Sequence, residues 1–66
     1  MKFKINGKEF DISQPKTVSE LLRELKIDPQ RVAVEVNLSI IKKADYSTCL
    51  LNDGDIIEIV NFVGGG

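Results

Sequence analysis

The sequence contains no histidine, and its 66 residues include a single cysteine, Cys49. Without histidine, a serine or cysteine nucleophile lacks its usual base, and a zinc site of the Cys/His type lacks its ligands. One cysteine cannot close a disulfide within the chain, which excludes the disulfide-stapled class of small domain. We expect Cys49 to be a small core or turn residue, because free cysteine is among the most buried residue types. The functional alternative is a thiol that carries a persulfide.

Long apolar runs and an excess of one charge are also missing. No run approaches the roughly 20 residues that span a bilayer, and the N-terminus alternates polar and apolar residues instead of opening with a signal-peptide stretch. Nine basic residues against ten acidic ones give a net charge of -1, so no long-range field attracts nucleic acid or an anionic membrane. We therefore expect a protein of the cytosol with neither nucleic acid nor membrane as its partner.

The first twelve residues predict a β-hairpin around Asn6-Gly7. This dipeptide favours a type I′ turn, which needs positive φ at both central positions, and apolar residues alternate with polar ones on either side. A two-residue turn predicts these cross-strand pairs: Phe3 with Phe10, Lys4 with Glu9, Lys2 with Asp11 and Ile5 with Lys8.

A short amphipathic helix is predicted after the hairpin. The segment from Thr17 to Glu20 has capping-box spacing, with Thr17 as the N-cap. An apolar stripe follows at positions i, i+3, i+4 and i+7, formed by Val18, Leu21, Leu22 and Leu25. We expect the helix to end at Asp28-Pro29, because the residue before proline is pushed away from helical angles.

The second half of the chain predicts three further strands. Alternating valines indicate a strand over residues 32–36, and Ile40 and Ile41 suggest a short fourth strand. Residues 46–51 are predicted to form a turn of helix that packs Tyr46 and a leucine. The turn of residues 52–55 precedes a last, apolar strand over residues 56–63. The order predicts an α+β fold: a mixed sheet of four to five strands packed on one main helix, the β-grasp of ubiquitin-like proteins, with the last strand central.

Acidic residues near the last turn suggest a metal site only weakly. Asp53, Asp55 and Glu58 lie close together in sequence, yet acidic residues around Asp-Gly are expected of a turn that enters a strand. They also fall short of the ligand number that calcium needs. We predict no metal site.

Three consecutive glycines, Gly64 to Gly66, close the sequence. At average glycine usage such a run arises by chance roughly once in 3,000 sequences. Glycines have the smallest cross-section and accept any φ, so a carboxylate on Gly66 can pass a narrow channel into a partner's active site, roughly 13–14 Å beyond the last strand. We expect a domain of residues 1–63 and a flexible tail of residues 64–66 that bears the working group. The alternative is a frayed end or a cloning remnant.

These features together resemble the ThiS family, the sulfur carrier proteins of thiamin biosynthesis, over the whole chain. The resemblance rests on the hairpin start, the helix opening Thr17-Val18-Ser19-Glu20-Leu21-Leu22, the turn Asn52-Asp53-Gly54-Asp55 and the terminal Gly65-Gly66. It implies a protein co-substrate, not an enzyme. An adenylyltransferase of the ubiquitin-activating type (E1-like) would use ATP and Mg²⁺ to adenylate Gly66. A persulfide-bearing donor would convert it to a thiocarboxylate, and a thiazole synthase would take the sulfur. The chain itself would bind no cofactor.

Two other readings stay open at this point. The small subunit of molybdopterin synthase has the same fold and a Gly-Gly end, although that family tends to be longer. A ubiquitin-like interaction module with an idle tail is the alternative from a different functional class.

Side-chain parity along the last strand predicts a partner-binding face. Glu58 is the one charged residue of that strand, so its face should be the more solvated one, while Ile57 and Ile59 point to the core. Ile56, Val60 and Phe62 then share the face of Glu58, as do Ala33 and Glu35 of the third strand. Contiguous exposed apolar surface often marks a partner site, so we expect Ile56, Val60, Phe62 and Gly64 to contact partners. The alternative is that a loop or strand end covers Val60 and Phe62.

Overall fold

The N-terminal hairpin forms as the sequence predicts. In the computed structural model, which describes residues 1–12 and 16–62, β1 (Lys2–Ile5) and β2 (Lys8–Asp11) pair antiparallel. Asn6 and Gly7 have φ angles of 49° and 83°, the positive values that a type I′ turn requires. The predicted register is confirmed in all its pairs: Lys2 with Asp11, Phe3 with Phe10, Lys4 with Glu9 and Ile5 with Lys8.

Three later strands complete a five-stranded mixed sheet. They are β3 (Val32–Val36), β4 (Ser39–Ile41) and β5 (Ile56–Asn61), and the strand order is β2-β1-β5-β3-β4. β5 runs parallel to β1 and antiparallel to β3, so the last strand is central, as predicted. It ends at Asn61, before the predicted end at residue 63, which lies outside the described residues.

The single α-helix of the described residues, α1 (Val18–Glu24), begins at the predicted cap. The backbone N–H of Glu20 donates to Oγ1 of Thr17 at 3.1 Å, and the N–H of Thr17 donates to Oε1 of Glu20 at 3.1 Å. These reciprocal bonds satisfy two of the N–H groups that a helix start leaves without partners. The capping box is therefore confirmed.

The predicted helix end at Asp28-Pro29 is wrong, since α1 ends at Glu24. Lys26 has a positive φ of 61°. Its N–H donates to the carbonyl of Arg23, and the N–H of Ile27 donates to the carbonyl of Leu22. This pair of bonds is the Schellman motif, which satisfies the last carbonyls of a helix and reverses the chain. Pro29 instead opens a short 3₁₀ helix, Pro29–Arg31.

The helical turn predicted over residues 46–51 also lies elsewhere. A 3₁₀ helix occupies Lys43–Asp45, and Tyr46 follows it, buried, with its hydroxyl donating to the Val32 carbonyl at 3.2 Å. Burial raises the pKa of the Tyr46 hydroxyl above its ordinary value. The leucine that packs inward from this region is Leu51, whereas Leu50 is 66% exposed.

The core lies between α1 and one face of the sheet. Cys49 is half-buried against it, which confirms its predicted place as a small packing residue. Within residues 1–12 and 16–62, no helix is long and apolar enough to cross a membrane. The arrangement of five strands and one helix confirms the predicted β-grasp. The buried apolar residues are Phe3, Ile5, Ile12, Val18, Leu21, Leu22, Val32, Val34, Tyr46, Leu51 and Ile57.

Replacing the cap residue tests the contribution of the capping box. We expect Thr17→Ala to lower the free energy of unfolding by about 0.5–2 kcal/mol, because the N–H of Glu20 loses its acceptor. Urea denaturation followed by circular dichroism measures the change. Thr17→Ser keeps the hydroxyl and is the matched control. A Thr17→Ala variant as stable as Thr17→Ser would show that the cap contributes nothing.

Candidate functional site

The chain is held firmly at the last described residue before the glycine tail. The N–H of Phe62 donates to the Arg31 carbonyl at 2.8 Å. The Lys43 ammonium lies 4.9 Å from the centroid of the Phe62 ring and donates to the Gln30 carbonyl at 2.9 Å. A cation over an aromatic face is attracted by the ring quadrupole. Phe62 therefore has a defined position, while the predicted reactive residues Gly64, Gly65 and Gly66 lie outside the described residues.

The sheet face opposite α1, here called the outer face, carries the predicted partner-binding side chains. Its members come from the three neighbouring strands β5, β3 and β4. In the β3–β5 pairing, Glu58 lies opposite Glu35 and Val60 lies opposite Ala33. In the β3–β4 pairing, Ile40 lies opposite Glu35 on its other side. The outer face consists of Ile56, Glu58, Val60, Ala33, Glu35 and Ile40, with Phe62 continuing it beyond β5.

Exposure along β5 confirms the predicted parity. Ile57 is fully buried and Ile59 is half-buried against the core. On the opposite face, Val60 is 60% exposed, Phe62 55% and Ile56 48%. The alternative in which a loop or strand end covers Val60 and Phe62 is therefore wrong for the described chain. Large exposed apolar side chains in one place typically mark an interaction surface.

Sequence reasoning missed Ile40 as a member of this face. Ile40 is 75% exposed and lies directly beside Glu35. The signal was present, because Ile40 and Ile41 must point to opposite faces of a strand and only one can face the core. Which of the two does so depends on the β3–β4 register, and the turn between them includes Asn37 and Leu38 with positive φ.

The acidic residues at the start of β5 have structural roles. The buried carboxylate of Asp55 accepts hydrogen bonds from the Asn37 side-chain amide at 3.0 Å and the Asn52 N–H at 2.8 Å. Oδ1 of Asp53 accepts from the Lys2 N–H at 2.6 Å. Asp53 therefore holds the turn against β1, and Asp55 holds it against the turn between β3 and β4. The described part of the chain contains no group of three or more acidic, cysteine or histidine side chains that could hold a metal ion.

The arrangement of the described residues supports docking more directly than catalysis. The sequence offers no histidine as a base, and the acids nearest the outer face either fix a turn or lie in the open sheet. What the fold does provide is a partly apolar surface that extends to Phe62, the last described residue.

Comparisons with known proteins agree with this geometry. The sequence model of the ThiS family matches residues 3–66. The Bacillus subtilis sulfur carrier protein ThiS is 41% identical over 63 residues, with 94% of this chain and 96% of that protein covered. A crystal structure of the thiamine biosynthesis protein ThiS from Geobacter metallireducens superposes with a TM-score of 0.88 at 32% identity, covering both chains fully.

A third relative is much longer than this chain. A thiazole synthase from Paramagnetospirillum magneticum is 52% identical over all 66 residues, which span 20% of that protein. The chain thus matches about a fifth of the length of this relative and nearly the full length of the Bacillus protein. A family match over almost every residue, joined to the same fold, leads to one conclusion: this chain belongs to the ThiS family.

Proposed function

We propose that this chain is a sulfur carrier of thiamin biosynthesis that delivers sulfur for thiazole formation from a thiocarboxylate on Gly66. The main support for this proposal is the match to the ThiS family model, which extends through Gly65 and Gly66. The exposed outer face supports it, because a carrier must dock on the enzymes that load and unload it. In this function the chain is a co-substrate and not an enzyme, and the ThiS match favours the thiamin pathway over molybdopterin synthesis.

The chemistry begins with an unreactive carboxylate. An oxygen of the Gly66 carboxylate attacks the α-phosphorus of ATP, and pyrophosphate leaves, giving an acyl adenylate. The terminal sulfur of a persulfide then attacks the acyl carbon, and AMP leaves, giving an acyl disulfide. A second thiol reduces the disulfide bond, which releases the thiocarboxylate on Gly66 and leaves a disulfide on the donor side. We place these steps in the cytosol, where thiols are kept reduced.

ATP and Mg²⁺ belong to the partner adenylyltransferase in this proposal, and the carrier binds neither. Phosphate binding in proteins typically uses a glycine-rich loop with a lysine beside it. Lys43 lies instead over Phe62 and against the Gln30 carbonyl. Lys42 and Lys43 are both exposed on the surface of the fold.

The acceptor of the sulfur is proposed to be a thiazole synthase. The supporting observation is that a Paramagnetospirillum magneticum protein of that name contains a segment 52% identical to this entire chain. A carrier and the enzyme that consumes its sulfur benefit from being joined, because a tether raises their effective concentration.

An exchange assay tests the first step of the cycle. The chain is mixed with the adenylyltransferase of its own organism, Mg²⁺-ATP and labelled pyrophosphate. Reversible formation of the acyl adenylate should transfer label into ATP, and only when the chain is present. Equal labelling without the chain, or none with it, would contradict adenylation of Gly66.

Removing the aromatic ring of the outer face should weaken docking. Phe62→Ala is expected to lower the affinity for the adenylyltransferase and for the thiazole synthase by about tenfold or more each, as loss of a large aromatic anchor does. Stability should fall by about 1 kcal/mol or less, since Phe62 is half-exposed and its cation–π contact is a surface one. Isothermal titration calorimetry with each enzyme measures the affinities.

Leu50→Ala is the matched control for Phe62→Ala. Leu50 is 66% exposed and lies beside Thr17 at the start of α1, away from the outer face. Its removal should leave both affinities unchanged. Because the two enzymes share one face in this proposal, excess thiazole synthase should also block adenylation. Simultaneous binding of both enzymes, or a Phe62→Ala variant that binds normally, would exclude a shared face.

A further inference from the structure

Two glutamates face each other in the middle of the outer face. Glu35 of β3 is the direct cross-strand partner of Glu58 of β5, a placement that brings Cβ atoms to about 4.5–5.5 Å and destabilises a like-charged pair. Both residues are half-buried. Ion pairs in the described chain use the cations of Met1, Lys16 and Arg31 with other acids, so neither glutamate has a salt-bridge partner among residues 1–12 and 16–62.

Lys4, on the neighbouring strand β1, forms no ion pair with either glutamate. Lys4 of β1 is paired with Glu9 of β2 on one side and with Ile56 of β5 on the other. In register, Glu58 follows Ile56 by two residues, so it does not lie opposite Lys4. Lys4 is thus only a diagonal neighbour of Glu58, and within the described residues the two glutamates lie side by side with neither in a salt bridge.

Apolar side chains surround this pair of charges. Ile40 is the neighbour of Glu35 on β4, and along β5 Glu58 lies between Ile56 and Val60. All three are exposed. A partner that covers these apolar groups must also remove water from the two carboxylates. Burying charges without a counter-charge is strongly unfavourable, whereas a well-placed cation with hydrogen bonds compensates for the lost water.

We propose that the adenylyltransferase places a basic side chain, an arginine by its geometry, between Glu35 and Glu58 when it docks on the outer face. This inference rests on the docking face of the proposed function. A guanidinium presents a planar fork of N–H donors that can serve two neighbouring carboxylates, which a lysine ammonium does less well. The repulsion present in the free carrier is relieved on docking. A protein surface that is only apolar is rejected, because it would leave both carboxylates buried and unpaired.

Charge-neutral variants test the proposal by titration calorimetry with the adenylyltransferase of the same organism at low and moderate salt. Glu35→Gln and Glu58→Gln should each weaken binding about tenfold or more, as removal of one partner from a buried charge pair does. The salt dependence of binding should fall as well. Neither variant should lower the melting temperature of the free carrier, since each removes a like-charge contact.

Glu9→Gln is the matched control, because it makes the same charge change on β2, opposite Lys4. Its affinity should stay within twofold of the wild type. An equal loss in Glu9→Gln would assign the effect to net charge and overturn the proposal. Normal binding by Glu35→Gln and Glu58→Gln, with weak binding by Phe62→Ala, would overturn the bridging cation but keep the docking face. Normal binding by all three variants would overturn the docking face as well.

Discussion

Deleting Gly65 and Gly66 should abolish sulfur loading and leave the melting temperature unchanged within experimental error. Removing two extended residues shortens the reach of the tail by about 7 Å, so the new terminal carboxylate stops short of the partner's active site. Folding should not change, because every buried residue precedes Phe62 in the described chain. Pyrophosphate exchange and mass spectrometry measure loading, and thermal denaturation measures stability.

The same deletion variant separates docking from chemistry. It keeps the outer face, so it should still bind the adenylyltransferase and compete with the full-length chain in the exchange assay. Restoring the two glycines should restore loading. A truncated chain that still accepts sulfur would end the carrier interpretation, and one that neither loads nor competes would show that the tail contributes to docking.

The second large effect is expected in the core. Leu22 is fully buried on the face of α1 that packs on the sheet, so Leu22→Ala loses both burial and packing. The expected loss is about 2–5 kcal/mol in the free energy of unfolding. Total stability of a small domain is only about 5–15 kcal/mol, so this variant can be largely unfolded at room temperature. Urea titration followed by circular dichroism measures it.

Leu50→Ala is again the control, now for stability. The chemical change is identical, but Leu50 is 66% exposed, and surface substitutions usually change stability by less than about 0.5 kcal/mol. The contrast between the two leucines tests whether the apolar stripe of α1 faces the core. A Leu22→Ala variant as stable as Leu50→Ala would contradict the fold described above.

Local rules predicted the parts of the fold that local interactions determine. The Asn6-Gly7 turn sets the hairpin register through its own backbone angles, and the capping box needs only Thr17 and Glu20. The sequence does not predict the observed helix end, because the residue that ends the helix is of an unusual type for that position. Lys26 takes a positive φ that glycine or asparagine usually provides, so its sequence carries no sign of a cap.

Long-range packing explains the second error. Tyr46 is buried by contacts that include a hydrogen bond to the Val32 carbonyl, fourteen residues away in sequence. No sequence pattern near Tyr46 predicts that hydrogen bond. The sequence therefore predicts a helical turn over residues 46–51, whereas the structure has a 3₁₀ helix at Lys43–Asp45. The burial of Tyr46 is predictable from the chemistry of its side chain, but the position of the 3₁₀ helix that precedes it is not.

The outer face also combines features that local sequence predicts with features that depend on tertiary structure. Parity within β5 was enough to predict exposure of Ile56, Val60 and Phe62, since alternation is a local property of a strand. Ile40 joins this face through the β3–β4 register, and Lys43 reaches Phe62 through tertiary structure. The roles of these side chains in docking and of Gly64 to Gly66 in chemistry stay predictions.

Intact-protein mass spectrometry of the chain isolated from cells tests the central claim most directly. A thiocarboxylate makes the protein heavier by the difference between one sulfur and one oxygen atom. Oxidation of Met1 or Cys49 adds nearly the same nominal mass, so fragmentation must locate the change. We predict the added mass on the fragment that contains Gly66, and its loss when the thiazole synthase is supplied with its other substrates. A chain from cells with an unmodified Gly66, even when thiazole formation is blocked, would contradict the sulfur-carrier function.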